Sequence, residues 1–442
     1  MQEENTIAID KLEHETERLG YKETKLGWIP EGWSTPMIPE VFKFLKTTSF
    51  SRSQMNYDDN EGVFCIHYGD IHATYERPVL DFNENNDIPK INDDVNLPTN
   101  IDLLEDGDLI IADASEDYDG IGSAIELTNI QNREVLSGLH TFAFRDYKGK
   151  TVAGFRPYLF RNPQVKKALK TIATGSKVYG VSKGNLEKFR LVLPTPPEQQ
   201  EIAKILSTWD RAIHTQEQLI AAKETFKKGL MQVLLTGKKR FDGFDGEWEE
   251  QTIGSFGKVV SGLTYSPDNV KENGLLVLRS SNVQNRKLEF NDNVYVDIIE
   301  GKYNPLKEND ILICVRNGSK HLIGKNALID KKTEGKAFGA FMSVFRSDRN
   351  EYVFHLFDTD FYKREIQKNL GATINSINGS NLKKFKFPFP QEKERNKITK
   401  VLNGIEKEIK LLEKELEQLK NQKQGLMQQL LTGSVRVEIN MD

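Results

Sequence analysis

No run of about 18 apolar residues occurs in this chain, so no membrane-spanning helix is expected. The N-terminus, Met1-Gln2-Glu3-Glu4-Asn5, is acidic and no apolar h-region follows it, so no secretory signal is expected either. Cysteine is scarce. Cys65 and Cys314 each lie inside an apolar, strand-like run and are read as reduced core thiols, which fits a cytoplasmic setting. The marks of several enzyme classes are missing as well. Gly149-Lys150-Thr151 looks like the end of a Walker A loop, but Phe144 stands where that loop needs a glycine. No GxGxxG follows a strand. Asn162-Pro163-Gln164 and Asn304-Pro305-Leu306 lack the second proline and the aromatic of an amino-methyltransferase motif. The seven histidines form neither HExxH nor a Cys/His group, so no metal site is expected. No Ser/His/Asp set emerges from spacing. The chain reads as a binding protein, not an enzyme.

What the chain does have is a repeat. Gly229-Leu230-Met231-Gln232-Val233-Leu234-Leu235-Thr236-Gly237 recurs as Gly425-Leu426-Met427-Gln428-Gln429-Leu430-Leu431-Thr432-Gly433, at an offset of 196. The same offset links Asn185-Leu186 to Asn381-Leu382, Pro194 to Pro390, Ile202 to Ile398 and Leu206 to Leu402. A repeat of this size makes the chain two copies of one unit, each ending in the same helix.

Each copy opens on aromatic residues among turn formers: Trp28 and Trp33 beside Gly27, Pro30 and Gly32, and in the second copy Phe241-Asp242-Gly243-Phe244-Asp245-Gly246-Glu247-Trp248. Short apolar runs separated by Gly, Asn and Asp follow, as in strands and loops. Val63–His72 matches Leu275–Gln284 at offset 212, and Gly107–Ile111 matches Asn309–Ile313 at offset 202. The apolar frame is shared, while the run ends differ: Tyr68 and Asp70 against Ser280 and Asn282. One scaffold thus presents two reading surfaces. A helix is expected around Asn162–Ala173 and around Thr359–Leu370, then a glycine loop at 175–182 and 371–378, then a strand ending in prolines.

The two long helices come last in each copy. In the second, Leu402, Ile405, Ile409, Leu412, Leu416, Leu419, Lys423, Leu426 and Leu430 keep a strict 3-4 spacing, a coiled-coil seam broken only by Lys423. The first helix is less regular, with Gln216, Lys223 and Lys227 interrupting its seam. About 40 residues at 1.5 Å each give a rod of about 60 Å. Chain order makes the pair antiparallel, with one domain at each end and a pseudo-two-fold axis between them.

The net charge of −4 conceals segregation along the chain. Residues 81–119 hold thirteen acids and one base, whereas 145–190 hold twelve bases and two acids, and 316–346 hold seven bases and two acids. A basic, DNA-facing surface is compatible with that distribution. From these residues alone two readings stand: a DNA-binding subunit, or a non-DNA scaffold carrying two carbohydrate- or protein-binding domains on a coiled-coil spacer.

The motifs together resemble the specificity (S) subunits of type I restriction–modification systems. The carriers are Leu26-Gly27-Trp28-Ile29-Pro30-Glu31-Gly32-Trp33, Pro194-Thr195-Pro196-Pro197-Glu198-Gln199-Gln200-Glu201-Ile202-Ala203, Gly229–Gly237 running on to Trp248, and the second copy. That copy departs from the pattern at Gln391-Glu392-Lys393-Glu394-Arg395. The resemblance implies an α+β chain of two target recognition domains separated by two conserved helices. These are expected at 21–195 and 238–390, with spacer helices at 196–237 and 391–433, an N-terminal helical segment at 1–20 and a tail at 434–442. It further implies a non-catalytic role in phage defence. Double-stranded DNA and two methyltransferase and two restriction subunits would be the partners, and those subunits, not this chain, would bind S-adenosylmethionine, ATP and Mg. DNA contacts are expected at Tyr68, Asp70, His72, Ser176, Lys177 and Tyr179 in the first domain. In the second they are expected at Arg279, Ser280, Asn282, Gln284, Arg316, Asn317, Lys320, Thr373 and Asn375. Arg279 and Arg316 stand out because arginine grips guanine bidentately. Trp209, Leu219 and Phe226 fall partly off the first seam and are expected to meet methyltransferase subunits, which makes the first helix the preferred partner surface.

Overall fold

A computed structural model describes residues 19–57, 62–75, 77–85, 87–299, 301–370 and 375–439. The helix expected over 1–20 lies almost wholly outside the described residues, as do Thr373 and the start of the second glycine loop. The chain forms two compact units, one of residues up to 218 together with 414 onwards, the other of residues 219–413. Each therefore takes one recognition domain and half of each long helix, Pro196–Leu234 and Glu392–Thr432.

In the first unit, a five-stranded sheet runs in the order Phe42–Leu45, Thr141–Asp146, Leu109–Ala112, Ala124–Thr128, Val79–Asp81. A second sheet orders Val135–Ser137, Phe64–Ile66, Lys90–Ile91 and Met55–Asn56. The near-continuous apolar runs foretell the burial: all four residues of Leu109–Ala112 are buried. The second unit repeats this with two four-stranded sheets. One is Lys258–Ser261, Met342–Arg346, Ile311–Cys314 and Asn326–Leu328; the other contains Leu275–Leu278 paired in parallel with Ala337–Phe338. Both units use the same clasp on their first sheet. Arg145 binds Asp108 bidentately (2.8 and 2.6 Å), and Arg346 binds Asp310 at the same distances. The helices expected near 162 and 359 are present at Pro163–Ile172 and Asp360–Asn369.

One expectation needs correcting. The run Val63–His72 does not continue as a strand. Only Phe64–Ile66 is extended, and Tyr68–Ala73 is a short helix. The His67 Nδ1 accepts the Gly69 N–H at 3.1 Å, capping that turn and ending the strand. In the second unit Ser280–Asn282 forms a 3-10 turn at the matching place, closed by the Arg279 N–H donating to Asn282 Oδ1 at 2.9 Å.

Each long helix starts on a buried glutamate. Thr195 donates its hydroxyl to Glu198 Oε2 at 2.7 Å, an interaction of capping-box spacing after the prolines. Trp33 Nε1 donates to the same oxygen at 2.8 Å, and Arg436 Nε to the other at 2.7 Å. Glu394 plays the same part in the second unit, receiving Trp248 Nε1 at 3.1 Å and Arg240 at 2.9 and 2.7 Å. The departure at 391–395 thus preserves the glutamate. It loses Gln199, which is fully buried and bonds Val152 N, Lys150 O and Pro194 O. Each helix ends in its repeated motif, with Gly237 (φ +70°) and Gly433 (φ +73°) in the left-handed region and Gly433 directly capping its helix. The leucine pair before the glycine is buried in a domain core: Leu430 and Leu431 in the first unit, Leu234 and Leu235 in the second.

Within each unit the helices run antiparallel, and the polar seam positions pair with one another. In the first unit Lys423 binds Asp210 in a buried pair, with the Tyr158 hydroxyl donating to Asp210 Oδ2 at 2.6 Å. The offset of 196 carries that pair onto Lys227 and Glu406, which meet at 3.3 Å in the second unit. Lys223 reaches Glu408 at 2.7 Å, and Gln216 reaches Glu415 at 3.1 Å. The interruptions in the first seam are therefore complements of the second helix, not defects. The inner pair is costly to break, since removing one partner strands a buried charge. Lys423→Ala is expected to lower stability by about 3 kcal/mol, read as the urea midpoint of the first unit. Asp210→Leu/Lys423→Met should recover most of that, whereas Lys227→Ala, at the looser and more exposed pair, should cost less than Lys423→Ala.

Candidate nucleic-acid interface

Four segments meet at one end of each recognition domain, held by the same backbone hydrogen bonds. In the first unit Gly138 N donates to Ile66 O (2.8 Å), Asp113 N to His140 O (3.0 Å), and Val181 N to Asp113 O (2.9 Å). In the second, Gly339 N donates to Leu278 O (2.9 Å), Val315 N to Phe341 O (3.0 Å), and Ile377 N to Val315 O (2.9 Å). The groups are strand-end donors and acceptors that need partners once buried. Tyr179–Gly180 pairs antiparallel with Ala114–Ser115, and Arg316 bridges Ser376 in the same sense. One frame thus carries unlike side chains.

In the first unit the Tyr68 ring lies between His67 (centroids 4.7 Å), His140 (5.2 Å) and His72 (6.2 Å). His140, itself in the left-handed region at φ 55°, places Nδ1 3.2 Å from Asp113 Oδ1. Burial lowers the His67 pKa, consistent with a neutral ring whose Nδ1 accepts a backbone proton, and burial raises the Asp113 pKa against the pull of His140. His72 is exposed, with Nε2 3.0 Å from Ala114 O. The Tyr179 ring packs against Tyr118 in a tilted pair (centroids 3.8 Å), and Ser176 and Lys177 are exposed in the adjoining loop. Asp70 departs from its expected role. It is 2 % exposed, and Oδ1 accepts from Arg52 Nη2 at 2.6 Å, so it is turned into the domain and holds Arg52. Arg52 also donates to the Tyr57 hydroxyl at 2.7 Å. Burial alone would lower the Arg52 pKa, but the hydrogen bond and charge of Asp70 leave it raised.

In the second unit Asn317 Nδ2 donates to Ser280 Oγ at 3.1 Å, Asn375 Nδ2 to Gly318 O at 2.9 Å, and Arg316 lies over the exposed Phe341 ring. Gln284 and Lys320 are exposed. Asn282 does not fit base reading. It is fully buried, and its amide bonds Glu289 O, Asp292 O and Asn293 Oδ1. Arg279 is also committed: Nη2 binds Asp292 at 2.8 Å.

The expected contacts overlooked Arg52, Tyr57, Tyr118, His140 and Phe341. His140 and Phe341 occupy the same turn in the two units, at an offset of 201, and comparing Gly138–His140 with Gly339–Phe341 would have found both. Exposed cations also occur on the neighbouring elements: Lys167 on Pro163–Ile172 and Lys177 in the glycine loop of the first unit, Lys363 and Arg364 on Asp360–Asn369 of the second. Part of the charge segregation cancels in space, because Lys170 binds Asp119 at 2.6 Å and Arg145 binds Glu105 at 2.8 Å. Among the described residues no group of His, Cys, Asp and Glu gathers as a metal site, and no helix is long and apolar enough to cross a membrane.

On the long helices, Leu219 is 41 % exposed and Phe226 56 %, while Trp209 is half-buried. Leu411 on the second helix is 59 % exposed, so exposed apolar side chains are not confined to the first helix.

The model of the type I restriction modification DNA specificity domain matches this chain twice, over residues 30–223 and 245–421. The specificity subunit of the type I restriction enzyme MjaVIII of Methanocaldococcus jannaschii is 29% identical over 301 residues, covering 64% of this chain and 70% of that one. Two solved structures share the fold. The S subunit of a type I restriction–modification system from M. genitalium aligns with a TM-score of 0.53 and 12% identity, over 90% of this chain and 96% of that one. A chain from a structure concerning complex assembly and conformational transition of the type I R-M system aligns with a TM-score of 0.56 and 15% identity, over 92% and 99%.

The division between reading and supporting residues is measurable. Asn282→Ala is expected to destabilise the second unit by roughly 1–3 kcal/mol through its orphaned carbonyls, as seen in thermal unfolding, and to leave base preference unchanged. Gln284→Ala should leave the melting curve unchanged and relax base preference in the second half-site.

Proposed function

The chain belongs to the type I restriction–modification DNA specificity family, and from that premise we propose that it is the non-catalytic subunit that selects a bipartite DNA site, one half-site per recognition domain. The observation that carries this reading is the doubled frame. Equivalent backbone hydrogen bonds gather the segments that carry Tyr68, His140 and Tyr179 in one unit and Ser280, Phe341 and Asn375 in the other. Two unlike clusters on one frame suit two unlike half-sites. The polar and aromatic side chains would read base edges, and the cations of the neighbouring elements would hold phosphates and fix register. Ser176, Lys177 and Lys320 belong to the loops beside these clusters and extend the contact surface.

In this reading the helices receive two methyltransferase subunits, with Trp209, Leu219, Phe226 and Leu411 as the apolar contacts. Adenine-N6 methylation, or cleavage once two restriction subunits join, is carried out by those partners, which supply S-adenosylmethionine, ATP and Mg binding. The setting is the cytoplasm.

The reading is tested with this chain co-expressed with modification subunits, titrated against duplex DNA in a gel shift. Affinity is expected to fall about a thousandfold between 50 and 200 mM salt for roughly six phosphate contacts, with one bipartite sequence preferred at every salt concentration. Binding that ignores salt, or no binding to any duplex, would favour the scaffold for carbohydrate or protein ligands instead.

A further inference from the structure

We infer that Arg316 reads a guanine in the half-site of the second unit, and that Phe341 is the ring that positions its guanidinium. The inference rests on the DNA reading above and goes further by assigning one base pair to one side chain.

Two arginines of the second unit sit at the strand-end cluster, and the structure separates them. Arg279 is spent: its Nη2 holds Asp292 at 2.8 Å, and its Nε is buried without a partner. Arg316 is not. Its backbone is pinned from two sides, by the N–H donating to Phe341 O at 3.1 Å and by the bridge to Ser376. Its guanidinium carbon lies 5.6 Å from the centroid of the Phe341 ring. Among the described residues that guanidinium has no hydrogen bond and no ion pair, so its donors remain available. Most other arginines of this unit are engaged elsewhere: Arg240 binds Glu394, and Arg395 lies in the first turn of the Glu392–Thr432 helix, away from the strand-end cluster in sequence. Arg286 bonds Asn326 and Phe354 O, Arg346 clasps Asp310, and Arg349 reaches Gln251. Arg364 packs over Phe361 on the Asp360–Asn369 helix, where it suits a phosphate.

Phe341 itself calls for an explanation. It is 56 % exposed at the turn just before Met342–Arg346, where a large ring in water has little reason to stand. Beneath a guanidinium it does two things. The ring face attracts the cation, and it limits the orientations of a long, flexible side chain, so less entropy is lost when the planar fork meets the O6 and N7 of guanine. The matching positions in the first unit hold Ala114, which pairs with Gly180 as Arg316 does with Ser376, and His140. No guanidinium stands there. The guanine contact is therefore a property of the second half-site.

The test uses the complex with modification subunits and a set of duplexes in which each base pair of the second half-site is replaced in turn. The wild-type complex is expected to lose roughly tenfold to a hundredfold in affinity when one G·C pair is changed. Arg316→Ala should bind all four pairs at that position nearly equally and keep wild-type discrimination elsewhere. Arg316→Lys should relax the same position while keeping the salt dependence, because the charge stays and the fork goes. Phe341→Ala should narrow discrimination at that position alone. Full discrimination in Arg316→Ala, or a loss equal for cognate and scrambled DNA, as a phosphate contact would give, overturns the assignment. A wild-type complex without any sequence preference would instead sink the DNA reading beneath it, and the two failures are told apart by the wild-type titration.

Discussion

A carboxylate buried at the first turn of each long helix is the constraint on which the rest of this structure depends. Glu198 and Glu394 are each 1 % exposed, and a bare anion there would be prohibitive. Each is satisfied by a tryptophan from the start of a recognition domain and an arginine that follows the C-terminal glycine of a long helix: Trp33 and Arg436, Trp248 and Arg240. One side chain thereby ties domain entry, helix start and helix end together in each unit. In the first unit the arginine comes from the chain's C-terminal segment, so the two ends of the described chain share one anchor. The Tyr21 hydroxyl donating to Gly433 O at 2.6 Å reinforces it.

With the helix ends fixed, the seam between the helices selects their register. A purely apolar seam can slip by a heptad, whereas a buried lysine can settle only opposite an acid. Buried Lys423 with Asp210 satisfies that rule in the first unit, and half-buried Lys227 with Glu406 repeats the pairing in the second, in positions exchanged by the repeat. The anchored scaffold then frees the strand ends for variation. The backbone hydrogen bonds that gather the four segments make no demand on the side chains at Tyr68 or Ser280, His140 or Phe341, and Tyr179 or Asn375. Side chains can change there without breaking those backbone hydrogen bonds.

Much of this was legible in the sequence, and the losses have physical causes. The repeated motif and its glycines are local signals: the second helix ends at Thr432 just before Gly433, while the first ends at Leu234, three residues before Gly237. The antiparallel pairing followed from chain order and apolar spacing. Lys227 and Lys423 were visible at the same offset, but each helix judged alone shows only a gap in its own seam; the acid that fills it lies about 200 residues away in sequence. Asp70 and Asn282 look like reading residues because polar side chains at run ends usually face solvent. Their burial is set by Arg52 in one case and by the carbonyls of the following turn in the other. The strand expected through His72 failed because a side chain, His67, competes for the backbone proton that a strand would have used elsewhere. Phe341 was missed since its register differs from that of the long helices, the loops between having changed length.

The most direct test of two reading surfaces on one frame is an exchange. Residues 42–188 are replaced by the corresponding segment of another family member, the hybrid is expressed with modification subunits, and methylated adenines are mapped across the host genome. One half of the bipartite motif should change to that of the donor while the other half stays as in the wild type. A motif that changes in both halves, or in neither, would contradict the account.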